Sequence, residues 1–152
     1  MWSLTFLHSN DIHGRLGALS RLTTMARQVQ TEAQAAGRTV FRWDAGDAFD
    51  RRFEECRLTR GVALPPVLAA AGVTVQTLGN DLWISYGPAA LTRLTERATY
   101  TLLAANLRAE DGSPLGRLQS SLLVEGPTTR LANPTTLRKK SVLHAFYSRS
   151  AR

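Results

Sequence analysis

The chain has 152 residues, 43% of them hydrophobic and 20% charged, which is the balance of one folded domain and excludes an intrinsically disordered chain. The formal net charge of +7 lies mostly at one end, because residues 138–152 hold five basic and no acidic residues, while residues 1–137 hold 14 basic and 12 acidic ones. A nearly balanced body disfavours a protein that binds nucleic acid through its folded part.

The cysteine content bears on the cellular compartment and on the catalytic chemistry that the chain could perform. Cys56 is the single cysteine, so no internal disulfide forms, as is usual in the cytoplasm. Residues 1–11 show no basic leader followed by an apolar run, and no segment reaches the ~18 apolar residues of a membrane span. We therefore predict a cytoplasmic protein with no membrane partner. A cysteine-dependent phosphatase loop, C-x5-R, is excluded because Val62 stands where its arginine would be.

Apolar periodicity predicts alternating strands and helices. Residues 2–8 are rich in strand formers and end in a polar turn, and apolar side chains then recur at helical spacing from Leu16 until Gly37 stops the helix. The further predicted strands are residues 39–43, 73–78 and 100–104, and the further predicted helices are residues 66–71 and 88–97. Residues 44–50 and 79–87 are predicted to be loops.

This alternation predicts an α/β fold with a mostly parallel sheet flanked by helices. In such sheets, ligands bind at the loops that follow the carboxyl ends of the strands. The unusual polar residues of this sequence lie in those loops.

Beyond residue 106 the alternation ends. Two short apolar runs, residues 121–124 and 129–132, predict a hairpin, and residues 133–152 show neither period and predict an irregular, disordered basic tail. We therefore divide the chain into a domain over residues 1–132 and a tail over residues 133–152. A tail with Phe146 and Tyr147 among its basic residues leaves nucleic-acid binding open as an alternative, although a solvated tail is the more ordinary interpretation.

Three successive strand ends carry possible metal ligands. Asp11 and His13 follow the first strand, Asp47 lies in the acidic loop after the second, and Asn80 and Asp81 follow the third. Taken singly, each is compatible with a helix cap or a solvated turn. Together they predict one pocket that all of these side chains face. Residues 11 and 13 would face it together because side chains two apart in an extended segment point to the same side. Carboxylate, amide and imidazole donors suit Mn, Fe, Zn or Mg, and a shared carboxylate can hold two such ions ~3.5 to 4 Å apart.

The segments LHSNDIHGRL, WDAGDAF and LGNDL, with LLAANL at residues 102–107, occur in this order. They resemble the first blocks of the 5'-nucleotidase and 2',3'-cyclic-nucleotide phosphodiesterase family of calcineurin-like metallophosphoesterases. The resemblance implies the amino-terminal half of a metallophosphoesterase sandwich and two divalent metal ions. It implies that Asp11 and His13 bind the first ion, Asp47 bridges both and Asn80 binds the second. The implied activity is hydrolysis of a phosphate ester, with a nucleotide as the expected substrate.

The sequence departs from that family at two points. Asp81 stands where the third block normally has a histidine, so either Asp81 substitutes for that catalytic residue or its function is missing. The histidine blocks that complete the family's metal site have no counterpart, since the other histidines are His8 and His144. We therefore expect a truncated or frame-shifted chain, with a non-catalytic fragment as the alternative to an enzyme. An incomplete sheet would leave an apolar edge open to self-association.

Overall fold

The computed structural model describes residues 3–125 and 140–144. Each of the first three strands is followed by one or two helices, in the alternation predicted above. The elements are β1 Leu4–Ser9, α1 Leu16–Ala35, β2 Thr39–Asp44, α2 Glu54–Thr59, α3 Leu64–Ala70, β3 Val75–Thr77, α4 Asn80–Arg97, β4 Thr101–Leu103, β5 Ser121–Glu125 and β6 Lys140–His144.

Strands β1 to β4 form one parallel sheet in the order β1-β2-β3-β4. Ser9 of β1 is in register with Asp44 of β2, which is in register with Gln76 of β3. Right-handed crossovers between neighbours taken in sequence order place the connecting helices on one face of a sheet. The predicted α/β class with a parallel sheet flanked by helices is confirmed, and the loops after β1, β2 and β3 lie at one edge.

Alternation along the strands divides the apolar side chains between the two faces of the sheet. Leu102 belongs to the larger core, which is built with helical residues such as Leu19, Leu68 and Leu91. Its neighbour Leu103 is fully buried in a smaller core on the opposite face. The helices therefore seal one face, and a second layer covers part of the other.

The helices after β2 and β3 differ from the prediction. Glu54–Thr59 forms α2 inside a stretch with no clear apolar period, where buried Cys56 anchors the turn. The predicted loop over residues 79–87 is wrong, because α4 already begins at Asn80. Gly87 (φ 68°, ψ −168°) is non-helical and divides α4 into two helical segments, so the helix predicted over residues 88–97 is present as the second segment, with Pro88 at its start.

The strand that pairs with β5 also differs from the prediction. β5 pairs antiparallel with β6, Ser121 opposite His144 and Glu125 opposite Lys140. Residues 140–144 are thus a strand, in a stretch that the sequence predicted to be irregular. Such a pairing depends on a distant segment that a local pattern does not identify. The predicted hairpin partner, residues 129–132, and the rest of the proposed tail, with Phe146 and Tyr147, lie outside the described residues.

Among the helices of residues 3–125, none is long and apolar enough to cross a membrane.

Candidate metal site at the strand ends

The loops after β1 and β2 are joined by backbone hydrogen bonds that continue the strand pairing. The amides of Asp11, His13 and Gly14 donate to the carbonyls of Gly46, Asp47 and Ala48, at 3.0, 3.0 and 2.8 Å. These bonds fix the two loops against each other and place the predicted ligands of both at one edge of the sheet.

Asp11, His13 and Asp47 all have positive φ, at 54°, 47° and 51°. Such left-handed backbone is uncommon outside glycine, although Asp and His tolerate it better than most residues. The extended conformation assumed for residues 11 and 13 is therefore wrong. Strained backbone that the surrounding structure maintains is frequent at functional sites, so the three residues are candidates for functional roles.

His13 connects the first loop to the third. Its Nε2 lies 3.6 Å from Asp11 Oδ1, and its Nδ1 lies 3.2 Å from Asp81 Oδ2. The Nδ1 atom is buried and lies beside the Asp81 carboxylate, without a hydrogen bond of good geometry. A buried, unpaired imidazole nitrogen beside carboxylates is an arrangement that a cation would satisfy.

Asp47 lies against the amino terminus of α4. Its Oδ1 accepts a hydrogen bond of 3.3 Å from the Asp81 amide, which the positive end of the helix dipole favours. Gly79 makes this approach possible, since a Cβ at that position would overlap the Asp47 carboxylate and amide. Asn80, the fourth predicted ligand, donates from Nδ2 to Asp81 Oδ1 at 3.0 Å. The structure thus brings the loops of all four predicted ligands, and Asp81, to one place.

The carboxylates of this edge have contrasting environments. Burial, and next the charge of Asp47, raise the pKa of Asp81, while His13 opposes the rise. Hydrogen bonds from Arg52 lower the pKa of Asp50, whose side chain is 6% exposed. Arg52 Nε lies 2.9 Å and Nη2 lies 2.6 Å from Asp50 Oδ2. A raised pKa at Asp81 is the direction that a proton donor needs, and a cation bound beside this carboxyl would oppose the rise.

Sequence reasoning missed two buried carboxylates, Asp44 and Asp50, which it treated only as parts of an acidic loop. Their spacing from Asp47, three residues on either side, was the available signal. Arg52 pairs with Asp50 of this loop, whereas Arg42 packs beside Gly72, where a Cβ would overlap its guanidinium.

The donor types of this edge fit hard divalent ions, as judged by the carboxylates and the unpaired nitrogen of His13. These donors lie close together only in pairs. Within residues 3–125 and 140–144, no three His, Cys, Asp or Glu side chains converge on a point where they could bind one ion. An ion here would need small side-chain rotations or further donors.

The chain has the fold of the amino-terminal domain of 5'-nucleotidases. It is similar to the solved structure of NAD nucleotidase from Haemophilus influenzae, with a TM-score of 0.71 and 19% identity over 93% of this chain and 26% of that one. It is also similar to a 5'-nucleotidase precursor from Thermus thermophilus, with a TM-score of 0.58 and 21% identity over 80% of this chain and 26% of that one. No family model and no curated protein matches the sequence.

The resemblance drawn from the three sequence blocks is thereby confirmed at the level of the fold. The chain spans about a quarter of the length of each nucleotidase it matches.

Proposed function

We propose that this chain carries one half of a metal-dependent phosphoester hydrolase site of the 5'-nucleotidase type. The observation that carries the proposal is that backbone hydrogen bonds join the loops of Asp11, His13 and Asp47, all in left-handed backbone, at the carboxyl ends of the strands of a nucleotidase-like sheet. Asp11 and His13 would hold one divalent ion, Asp47 would bridge two, and Asn80 would hold the second. Bound ions of this kind polarise a phosphoryl oxygen and supply a hydroxide nucleophile.

The residues of the chain would act by position and charge. The start of α4 would position the bridging carboxylate, because the Asp81 amide donates a hydrogen bond to Asp47 Oδ1. Asp81, at the position of the family's histidine and beside His13, is the candidate for the proton that the leaving oxygen needs. A nucleotide is the expected substrate, and donors from outside these loops would complete the site.

Hydrolysis of bis-p-nitrophenyl phosphate and of AMP, measured with and without Mn²⁺, tests the proposal. We expect activity that depends on Mn²⁺ and falls more than ~100-fold in Asp47→Asn, since changes to residues behind the ligands alone often cost 10–100-fold. Asp111→Asn is the matched control, because Asp111 is an exposed carboxylate in a turn with Ser113. Mn²⁺ binding measured by calorimetry gives a readout independent of turnover.

A non-catalytic fold is the second candidate. It is favoured by the pairwise gathering of the donors and by Asp81 at the position of the family's histidine. Wild-type protein that is folded, binds no Mn²⁺ and hydrolyses neither ester would support this candidate and reject the first.

A further inference from the structure

A chain of hydrogen bonds runs beneath the candidate site, across the parallel sheet. Ser9 Oγ donates to Asp44 Oδ2 at 2.7 Å, Gln76 Nε2 donates to Asp44 Oδ1 at 3.1 Å, and Tyr100 Oη donates to Gln76 Oε1 at 2.8 Å. The first three residues lie on one rung of the sheet, and Tyr100 directly precedes β4. We name this set the buried polar chain.

Two residues of the buried polar chain occupy core positions that apolar side chains usually fill. Asp44 is 1% exposed and Gln76 is 5% exposed, on the same face as Leu102 of the main core. An unpaired buried amide or hydroxyl costs ~1 to 3 kcal/mol, and a buried carboxylate costs more, so such groups persist only with all partners in place. A fully paired network of this kind gives a unique arrangement rather than added stability.

Asp44 also connects the buried polar chain to the loop above it. Its Oδ1 accepts a hydrogen bond of 3.2 Å from the amide of Gly46, whose own carbonyl receives the Asp11 amide. Gly46 has φ of 117°, and a Cβ there would press on the Thr77 carbonyl and the Gly79 amide. The turn that carries Asp47 is thus held from below by Asp44 and from the sides by the other two loops.

We propose that Asp44 is a positioning residue for Asp47, held in place by Ser9, Gln76 and Tyr100. Its role, which rests on the proposed function for the metal, is to fix the left-handed turn that presents the Asp47 carboxylate. Asp44 does not touch the ion or the substrate. Burial raises the pKa of Asp44, while its bonds with Ser9, Gln76 and Gly46 oppose that rise, as expected for a carboxylate held by several donors.

The variants are chosen by what each leaves in place. Asp44→Asn keeps an oxygen for Gly46 and Gln76, and its amide can donate to the Ser9 hydroxyl, so it is the conservative variant. Asp44→Ala removes every acceptor, and Ser9→Ala removes one donor with little risk to folding. Thr95→Val is the matched control, because Thr95 is equally buried and hydrogen-bonded but lies on α4 away from this edge.

Two measurements on the full chain test the proposal: Mn²⁺ affinity by calorimetry, and amide hydrogen exchange at residues 11, 13 and 46. We expect Asp44→Ala to weaken Mn²⁺ binding ~10- to 100-fold, the range for residues that orient metal ligands, with Asp44→Asn staying within ~3-fold of wild type. Amide exchange at residues 11, 13 and 46 should accelerate at least ~10-fold in Asp44→Ala. It should accelerate measurably but less in Ser9→Ala and remain unchanged in Thr95→Val.

The outcomes separate this inference from the proposed function. Wild-type protein that binds no Mn²⁺ overturns the proposed function, and exchange at the three amides then decides whether Asp44 positions the turn. Unchanged exchange in the Asp44 and Ser9 variants, or equal acceleration in Thr95→Val, overturns the positioning role. If Asp44→Ala does not fold, faster exchange in Ser9→Ala than in Asp44→Asn and Thr95→Val tests the positioning role.

Discussion

At the scale of single residues, the pairing of Asp50 with Arg52 predicts a pH dependence of stability. Arg52 lowers the pKa of Asp50 in the folded chain relative to ~3.9 for an unfolded aspartate. A lowered folded pKa means that the folded state gains stability from the ionised group. That gain is complete above the unfolded pKa and is lost as the pH falls through the folded one.

Arg52→Ala should therefore lower the melting temperature at pH 7 and have a shrinking effect as the pH falls below 4. Arg51→Ala is the matched control, since Arg51 is the exposed neighbour of the same charge. Thermal unfolding followed by circular dichroism from pH 3 to 7 measures both variants. Curves for Arg52→Ala and wild type that stay parallel over this range would contradict the pairing.

At the scale of elements, the loop after β2, which contains Asp47, packs tightly against the start of α4. Gly79→Ala introduces a methyl group against the Asp47 carboxylate and amide. We expect a loss of ~1 to 3 kcal/mol in the free energy of unfolding, as for other overpacked positions, together with weaker Mn²⁺ binding.

Gly17→Ala provides the contrast within α1. A Cβ at Gly17 meets nothing within 4 Å, so the substitution should raise the free energy of unfolding by ~0.4 to 1 kcal/mol through reduced chain entropy. Urea unfolding of both variants gives the two signs directly. Two stabilising values would mean that the β2 loop and α4 are less tightly apposed than described.

The elements also show what the sequence can predict. β1, α1, β2 and the strand ends were predicted correctly, because apolar periodicity is local and the flanking polar turns are short. The left-handed turns at Asp11, His13 and Asp47 were not, because they depend on hydrogen bonds between two loops more than 30 residues apart. Asp44 illustrates the same limit, since its burial depends on donors from β1 and β3 that no local pattern reveals.

At the scale of the whole molecule, the outer edge of β1 remains unpaired with any strand described in residues 3–125 and 140–144. Edge strands are usually protected by charges, proline or a bulge, and Leu4–Ser9 carries no Asp, Glu, Lys, Arg or proline. On one side of this edge lies Phe6, 48% exposed and stacked on Phe41. On the other side α1 presents Leu22, Met25 and Val29, each at least 40% exposed.

Phe6 and the three α1 side chains line a groove of about 330 Å³ between β1 and α1. Contiguous apolar patches of several hundred Å² on a folded chain mark sites of association. We propose that a second copy pairs antiparallel with β1 about Phe6, which would place the two α1 stripes side by side on the same face of an extended sheet. The expected product is a dimer whose weight fraction rises with concentration.

Light scattering after size exclusion, from ~5 to 200 µM chain, measures this self-association. Phe6→Lys should abolish the dimer, because it places a charge at the centre of the pairing between the two β1 strands. The substitution leaves β1 as the edge strand of the monomer. Leu58→Lys is the control of equal chemistry, since Leu58 is 67% exposed on α2 and is not among the groove residues. A dimer that persists in Phe6→Lys, or a wild-type chain that stays monomeric at 200 µM, would contradict self-association through β1. Loss of the dimer in Leu58→Lys alone would move the interface to α2.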